Sequence, residues 1–217
     1  IARLFMAWVR GLTNTEARGH DYNLAWAVIV GSLPVGIVGF LARNVIEGPL
    51  RSLWVVAIAL VLWSGVMFVA ERRHDVLEKQ GAQRGEGQVG VKDGLLIGLM
   101  QCFSLIPGVS RSGATISAGL LRGIDRVTAT ELSFFMAIPA LTAAGAFQAV
   151  EQRHDLAGLG MGQMVVGIVV AFVVAYASIA WLLKFLISHS MYWFVGYRVV
   201  LALVVMALLA TGVVAAS

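Results

Sequence analysis

Apolar blocks long enough to cross a bilayer constrain this chain more than any other feature. Residues 23–41, 53–70, 131–150, 163–187 and 192–214 each form such a block, with few charges. A helix needs about 20 predominantly apolar residues to span the hydrocarbon core. A soluble helix needs only an apolar stripe, not an apolar circumference. Composition agrees: of 217 residues, 59% are hydrophobic and 13% charged, against roughly 25% charged in a soluble domain. The mean hydropathy is +0.85. The expected fold is an all-α polytopic membrane protein, a single transmembrane domain over residues 1–217. Nucleic acid is not an expected partner. The net charge of +4 suits the Lys/Arg enrichment of cytoplasmic loops, and no basic helix with interleaved aromatics stands outside the apolar blocks. The single cysteine, Cys102, excludes an intramolecular disulfide.

Three stretches depart from simple spans. Residues 1–9 are apolar but too short to cross, and read as the tail of a helix whose beginning is absent. Residues 71–93 carry charges of both signs with Gly and Gln, which predicts a flexible loop exposed to water. Residues 94–121 are apolar at both ends and broken by Pro107-Gly-Val-Ser-Arg-Ser-Gly113. A straight span would bury Arg111 near mid-membrane, at a cost of about 2.5 kcal/mol or more if unpaired. Irregular backbone at that depth needs cover from protein or a wet cavity. Two half-helices forming a re-entrant hairpin satisfy both constraints. Five full spans plus this hairpin place Arg10, Arg18, Arg72, Arg73, Arg122 and Arg126 on one side, against Arg43, Arg51 and Arg153 on the other. That asymmetry follows the positive-inside rule, and a full crossing at 94–121 would break it.

The broken segment has the chemistry of an anion site. Gly108 and Gly113 allow close backbone approach. A half-helix starting near Ser112 offers free N–H groups and a positive dipole end. Arg111 presents a planar fork of donors that matches phosphate oxygens. Ser110, Ser112 and Thr115 add hydroxyls, and the last two are spaced to share a helix face. The competing reading is a plain kink whose arginine pairs with backbone carbonyls. On these grounds alone a phosphatase, a phospholipid transporter and an anion channel all stay open.

The segment Gln101-Cys-Phe-Ser-Leu-Ile-Pro107-Gly108-Val-Ser110-Arg111-Ser112-Gly113-Ala-Thr115-Ile116 resembles the second signature of the undecaprenyl-diphosphate phosphatases, also known as bacitracin-resistance proteins. Gly31-Ser-Leu-Pro34-Val-Gly-Ile-Val-Gly39, Gly123 to Phe134 with Ala137-Ile-Pro139, and Phe194-Val-Gly-Tyr197-Arg198 resemble further segments of that family. The resemblance implies hydrolysis of undecaprenyl diphosphate to the monophosphate and phosphate, in the bacterial inner membrane. A lipid-phosphate transporter or flippase is the alternative, and an inactive fragment a third. It also implies an inverted-repeat fold, with Arg111, Ser110 and Thr115 catalytic and Gly108, Ser112 and Gly113 completing the phosphate cradle. A divalent cation, Mg2+ or Ca2+, is the expected cofactor. The family's first signature, a Glu-x-x-x-Glu stretch followed by Pro-Val-Ser-Ser-Thr-Gly-His, does not occur in this sequence, so no metal ligand is assigned here and that signature is expected before Ile1. The expected partners are the polyprenyl diphosphate, the bilayer and, as an open option, a second copy forming a homodimer.

The other polar residues carry less. His20, His74, His154 and His189 read as solvated loop or span-end residues. Glu131 reads as a helix cap in Thr128-Ala-Thr-Glu131. Arg198 either reaches the site or snorkels to the interface. Gln101 either lines the pocket or bonds a neighbouring helix. Gly94-x-x-x-Gly98 and Gly119-x-x-x-Gly123 predict close helix contacts.

Overall fold

The computed structural model describes residues 1–153, 160–188 and 190–215. His154 and His189 lie outside the described residues. The architecture is helical, and among the described residues the one β contact is an isolated bridge between Arg84 and Ile124. Among the described residues, five helices are long and apolar enough to cross a membrane. They are α2 (His20–Leu41), α4 (Leu53–Lys79), α7 (Arg126–Glu151), α8 (Met161–Ser188) and α9 (Tyr192–Ala210). Shorter helices are α1 (Ala2–Thr13), α3 (Arg43–Glu47), α5 (Val91–Gln101) and α6 (Arg111–Leu121). The predicted spans are all present, most with ends shifted by up to five residues, while α4 runs on past its predicted end at 70 to Lys79. The apolar stretch at 1–9 belongs to α1, which runs on to Thr13 and packs against α2.

Two expectations are corrected. Residues 71–93 are not one exposed loop. Helix α4 continues to Lys79, and Glu71, His74 and Asp93 are buried. Each has a charged or polar partner, Glu71 across 55 residues and His74 and Asp93 across nine. Arg126 donates to Glu71 Oε1 at 2.5 Å, Gln83 lies 2.9 Å from His74 Nε2, and Arg84 reaches Asp93 Oδ2 at 2.6 Å. His74 is therefore an interior residue, not a solvated one. Glu131 does not cap α7. The helix begins earlier, with Asp125 as its N-cap accepting from the Thr128 N–H at 2.9 Å and from the Thr128 hydroxyl at 2.7 Å. A short acceptor one residue ahead of the helix satisfies the orphan N–H groups better than a glutamate already inside it.

The broken segment folds as two helices of 11 residues each, α5 and α6, joined by a 3-10 turn over Cys102–Leu105 and an irregular stretch to Ser110. Each helix is about 16 Å long at 1.5 Å per residue, half a hydrocarbon core. Glycine lets this pair sink into the bundle. A Cβ on Gly94 would meet the Ala27 carbonyl of α2, and one on Gly98 the Gly31 carbonyl, so α5 and α2 touch backbone to backbone. A Cβ on Gly119 would lie 2.7 Å from the Ala129 Cβ of α7. Gly123 serves differently, since its φ of +76° ends α6 in a conformation other residues resist.

The open ends of α5 and α6 are tied by charge. Asp93 accepts from Arg84 and, at 3.0 Å, from Arg122 Nη2, while the Gly90 N–H reaches it at 3.2 Å. The loop is pinned further where the Arg84 N–H donates to the Gly123 carbonyl at 2.8 Å and the Asp125 N–H to the Arg84 carbonyl at 2.9 Å. Burial alone would raise the Asp93 pKa, but hydrogen bonds from Arg84, Gly90 and Arg122 outweigh it and hold the carboxyl below its ordinary value. The same bond to Asp93 raises the Arg84 pKa against a smaller opposing effect of burial.

Candidate active site

Between α5 and α6 the chain turns through Ile106–Ser110 in a backbone that few sequences tolerate. Gly108 has φ +98°, and Ser110, at φ +75°, is the one non-glycine residue with positive φ among those described. A Cβ on Gly108 would strike the Val56 carbonyl of α4, so the turn lies directly on that helix. A serine held in this region costs on the order of 1 kcal/mol or more, and such strain gathers at functional sites.

Ser110 is the N-cap of α6. Its Oγ accepts from the Gly113 N–H at 3.2 Å and its carbonyl from the Ala114 N–H at 2.9 Å. The N–H groups of Ser110, Arg111 and Ser112 have no protein partner among the described residues. They form a row of donors at a helix N-terminus, where the dipole favours an anion. Ser110 is exposed, Arg111 and Ser112 are half-buried, and the two serine Oγ atoms stand 3.4 Å apart.

Arg111 uses one guanidinium nitrogen to donate to the Ser133 carbonyl of α7 at 3.0 Å. No carboxylate pairs with it among the described residues. Its remaining N–H donors stay available for a ligand. Thr115 is fully buried and turned to α7, 2.7 Å from Ser133 Oγ and 3.0 Å from the Arg111 carbonyl. It supports the turn from behind, on the side away from the exposed Ser110. Gly113 is buried, with its N–H already taken by Ser110. The structure thus places all six predicted residues at or beside one turn, with Ser110 exposed, Arg111 and Ser112 half-buried, and Gly113 and Thr115 buried.

Several contributors had little or no local signal. Ser133 holds both Arg111 and Thr115, across 22 and 18 residues of sequence. Arg198 resolves in favour of reaching the site: it is buried in α9, with Nη2 donating to the Gly108 carbonyl at 2.7 Å and the Val109 carbonyl at 3.2 Å. Gln101 does not make the expected bond to a neighbouring helix. It is fully buried, and neither amide atom has a hydrogen-bond partner among the described residues.

The turn suits an anion and not a cation. Its spare groups are N–H donors, hydroxyls and the remaining donors of a guanidinium, and Arg198 occupies two of its carbonyls. The His/Asp/Glu groups spaced to share a metal, His20-Asp21-Glu86 and His74-Asp75-Glu78, belong to the opposite end of the bundle, beside the tied ends of α5 and α6. The residues present at the turn do not fit a divalent ion.

The bacitracin resistance protein BacA family model matches residues 1–204. The chain belongs to that family. An undecaprenyl-diphosphatase 3 from Frankia casuarinae is 52% identical over 217 residues, 99% of this chain and 76% of the relative. Undecaprenyl-diphosphatases from Cutibacterium acnes and Mycolicibacterium smegmatis are 48% and 49% identical, over 100% of this chain and 77% of each relative. With five candidate spans among the described residues, this BacA family member is a multi-pass membrane protein.

Proposed function

We propose that the chain hydrolyses undecaprenyl diphosphate to undecaprenyl phosphate and inorganic phosphate, recycling the lipid carrier of cell-wall synthesis in the bacterial plasma membrane. One observation carries the reading: three free N–H groups and an arginine with spare donors converge at the α6 N-terminus, inside a membrane bundle. Naming of the relatives for hydrolysis supports the phosphatase over a transporter.

In the reaction, the anhydride P–O bond breaks and a water oxygen ends on phosphorus. Charge spreads over the phosphoryl oxygens, so donors fixed in advance lower the barrier. Arg111 binds two of those oxygens through its fork. The N–H groups of Ser110, Arg111 and Ser112, with the hydroxyls of Ser110 and Ser112, hold the others. Gly108 and Gly113 permit the turn, and Thr115 braces it through Ser133. The divalent cation expected from the resemblance has no ligand set at this turn, and none of these steps passes through it.

The same proposal makes α5 and α6 a re-entrant pair within an inverted-repeat fold. Their half-membrane length and the one-sided placement of Arg84 and Arg122 support it. Cysteines at Val91 and Arg122 should label from one membrane face; labelling from opposite faces would rule out re-entry.

The primary test is phosphate release from undecaprenyl diphosphate by the full-length protein in detergent, with and without a chelator. Release that stops on chelation supports both the phosphatase and its metal requirement. Release unaffected by chelation removes the cation. No release from folded, lipid-loaded protein overturns the reading.

A further inference from the structure

We infer that Arg198 is a positioning residue for the phosphate cradle: from the last span, it fixes the peptide plane that presents the Ser110 N–H to the ligand. The inference rests on the phosphatase reading of the turn.

In a trans peptide the C=O and the N–H of the next residue point in opposite directions. No peptide bond in the described chain is cis. Arg198 Nη2 draws the Val109 carbonyl toward α9 at 3.2 Å and the Gly108 carbonyl at 2.7 Å. The Ser110 N–H shares a peptide plane with the Val109 carbonyl. It must therefore point away from Arg198, and it is left without a protein partner. It joins the free N–H groups of Arg111 and Ser112 there. The Val109 N–H is excluded from this row, because it donates to the Ile106 carbonyl at 3.1 Å.

The guanidinium is itself held. Its Nε donates to Ser64 Oγ of α4 at 3.3 Å, and Ser64 Oγ is fixed by the Leu60 carbonyl at 2.7 Å. Both side chains are buried. No carboxylate pairs with Arg198 among the described residues. A buried arginine without a counter-ion is costly to keep for packing alone. It suits a role in which its charge lies behind a bound polyanion and its donors hold two carbonyls at once. Without it those carbonyls would turn toward the anion and repel it. Lysine offers a point charge where a fork is needed.

The test uses the full-length protein with Arg198→Gln, Arg198→Lys and the milder Ser64→Ala. The readouts are kcat and KM for undecaprenyl diphosphate, direct binding of inorganic phosphate, and thermal stability in detergent. For Arg198→Gln we expect kcat to fall at least tenfold and phosphate affinity to weaken by a similar factor. KM should stay within about threefold. Lysine should restore part of the loss, and Ser64→Ala should lower kcat about twofold to fivefold with unchanged melting. The inference is overturned if Arg198→Gln is stably folded with kcat and phosphate affinity within twofold of wild type. It is equally overturned if losses in all variants track only the folded fraction. If the wild-type protein releases no phosphate, the phosphatase reading fails instead, and phosphate binding still decides the role of Arg198.

Discussion

Helices α6 and α8 are both apolar, yet they live in different surroundings. From Gly113 to Leu120 every residue of α6 is buried. The most apolar window of α8 has no buried residue at all. The more apolar helix is the exposed one, so apolarity does not predict burial; side-chain size and polarity do. Helix α6 reads RSGATISAGLL, and α8 is dominated by Val, Ile, Leu, Phe and Tyr. In lipid, two apolar surfaces gain little by leaving the acyl chains for each other. Close approach of small residues and hydrogen bonds drive association instead. Helix α7 contains both regimes. Its buried residues end at Ala137, two positions before Pro139, and its second half is largely exposed.

The largest expected effect falls on the packed, polar region. Arg111→Lys should lower phosphate release by about a hundredfold or more, the scale of losing a preorganised transition-state donor, while yield in detergent stays unchanged. Near-normal turnover would remove Arg111 from the phosphate clamp.

Next comes packing. Gly98→Ala forces a methyl group against the Gly31 carbonyl, and overpacking of this kind costs about 1–3 kcal/mol. A thermal-shift series in detergent should show lower stability, and an unchanged midpoint would mean that α2 and α5 are not in backbone contact.

Asp93→Asn should cost about 1–2 kcal/mol, less than a fully buried pair would, because its arginine partners keep 31% and 43% of their side-chain exposure. The pH dependence has a definite sign. The Asp93 carboxyl is held below its ordinary value in the folded state. Its contribution is therefore complete above the unfolded value near about 4. It is lost as pH falls through the lower, folded value. Unfolding free energy measured on acidification should drop more in wild type than in Asp93→Asn.

The smallest effect belongs to the lipid-facing region. A Cβ on Gly167 of α8 would meet nothing. Gly167→Ala should be neutral or stabilise by up to about 1 kcal/mol, through helix propensity alone. A loss comparable to that of Gly98→Ala would show that α8 is covered by protein, and the contrast between the two regions would fail.

Much of the site was legible because its parts are neighbours in sequence. Pro107, Gly108, Ser110, Arg111 and Gly113 lie within one turn, and their types alone specify a tight, donor-rich bend. The charged residues of 71–93 were misleading for the opposite reason. Glu71 and His74 look solvated until Arg126, 55 and 52 residues away, is brought beside them. The Thr128-Glu131 pattern misled because Asp125, just outside it, is the better cap.

The sequence by itself determined the spans, the break between α5 and α6, and the anion-seeking character of the turn. These depend on local length, apolarity and backbone preference, which neighbouring residues carry in full. Only the tertiary structure decided that Ser133 braces the turn, that Thr115 faces inward, and that Arg198 holds the carbonyls of Gly108 and Val109. A hydrogen bond across 90 residues leaves no periodicity or spacing to read. It exists because packing α9 on α4 places one buried guanidinium where two carbonyls need a donor.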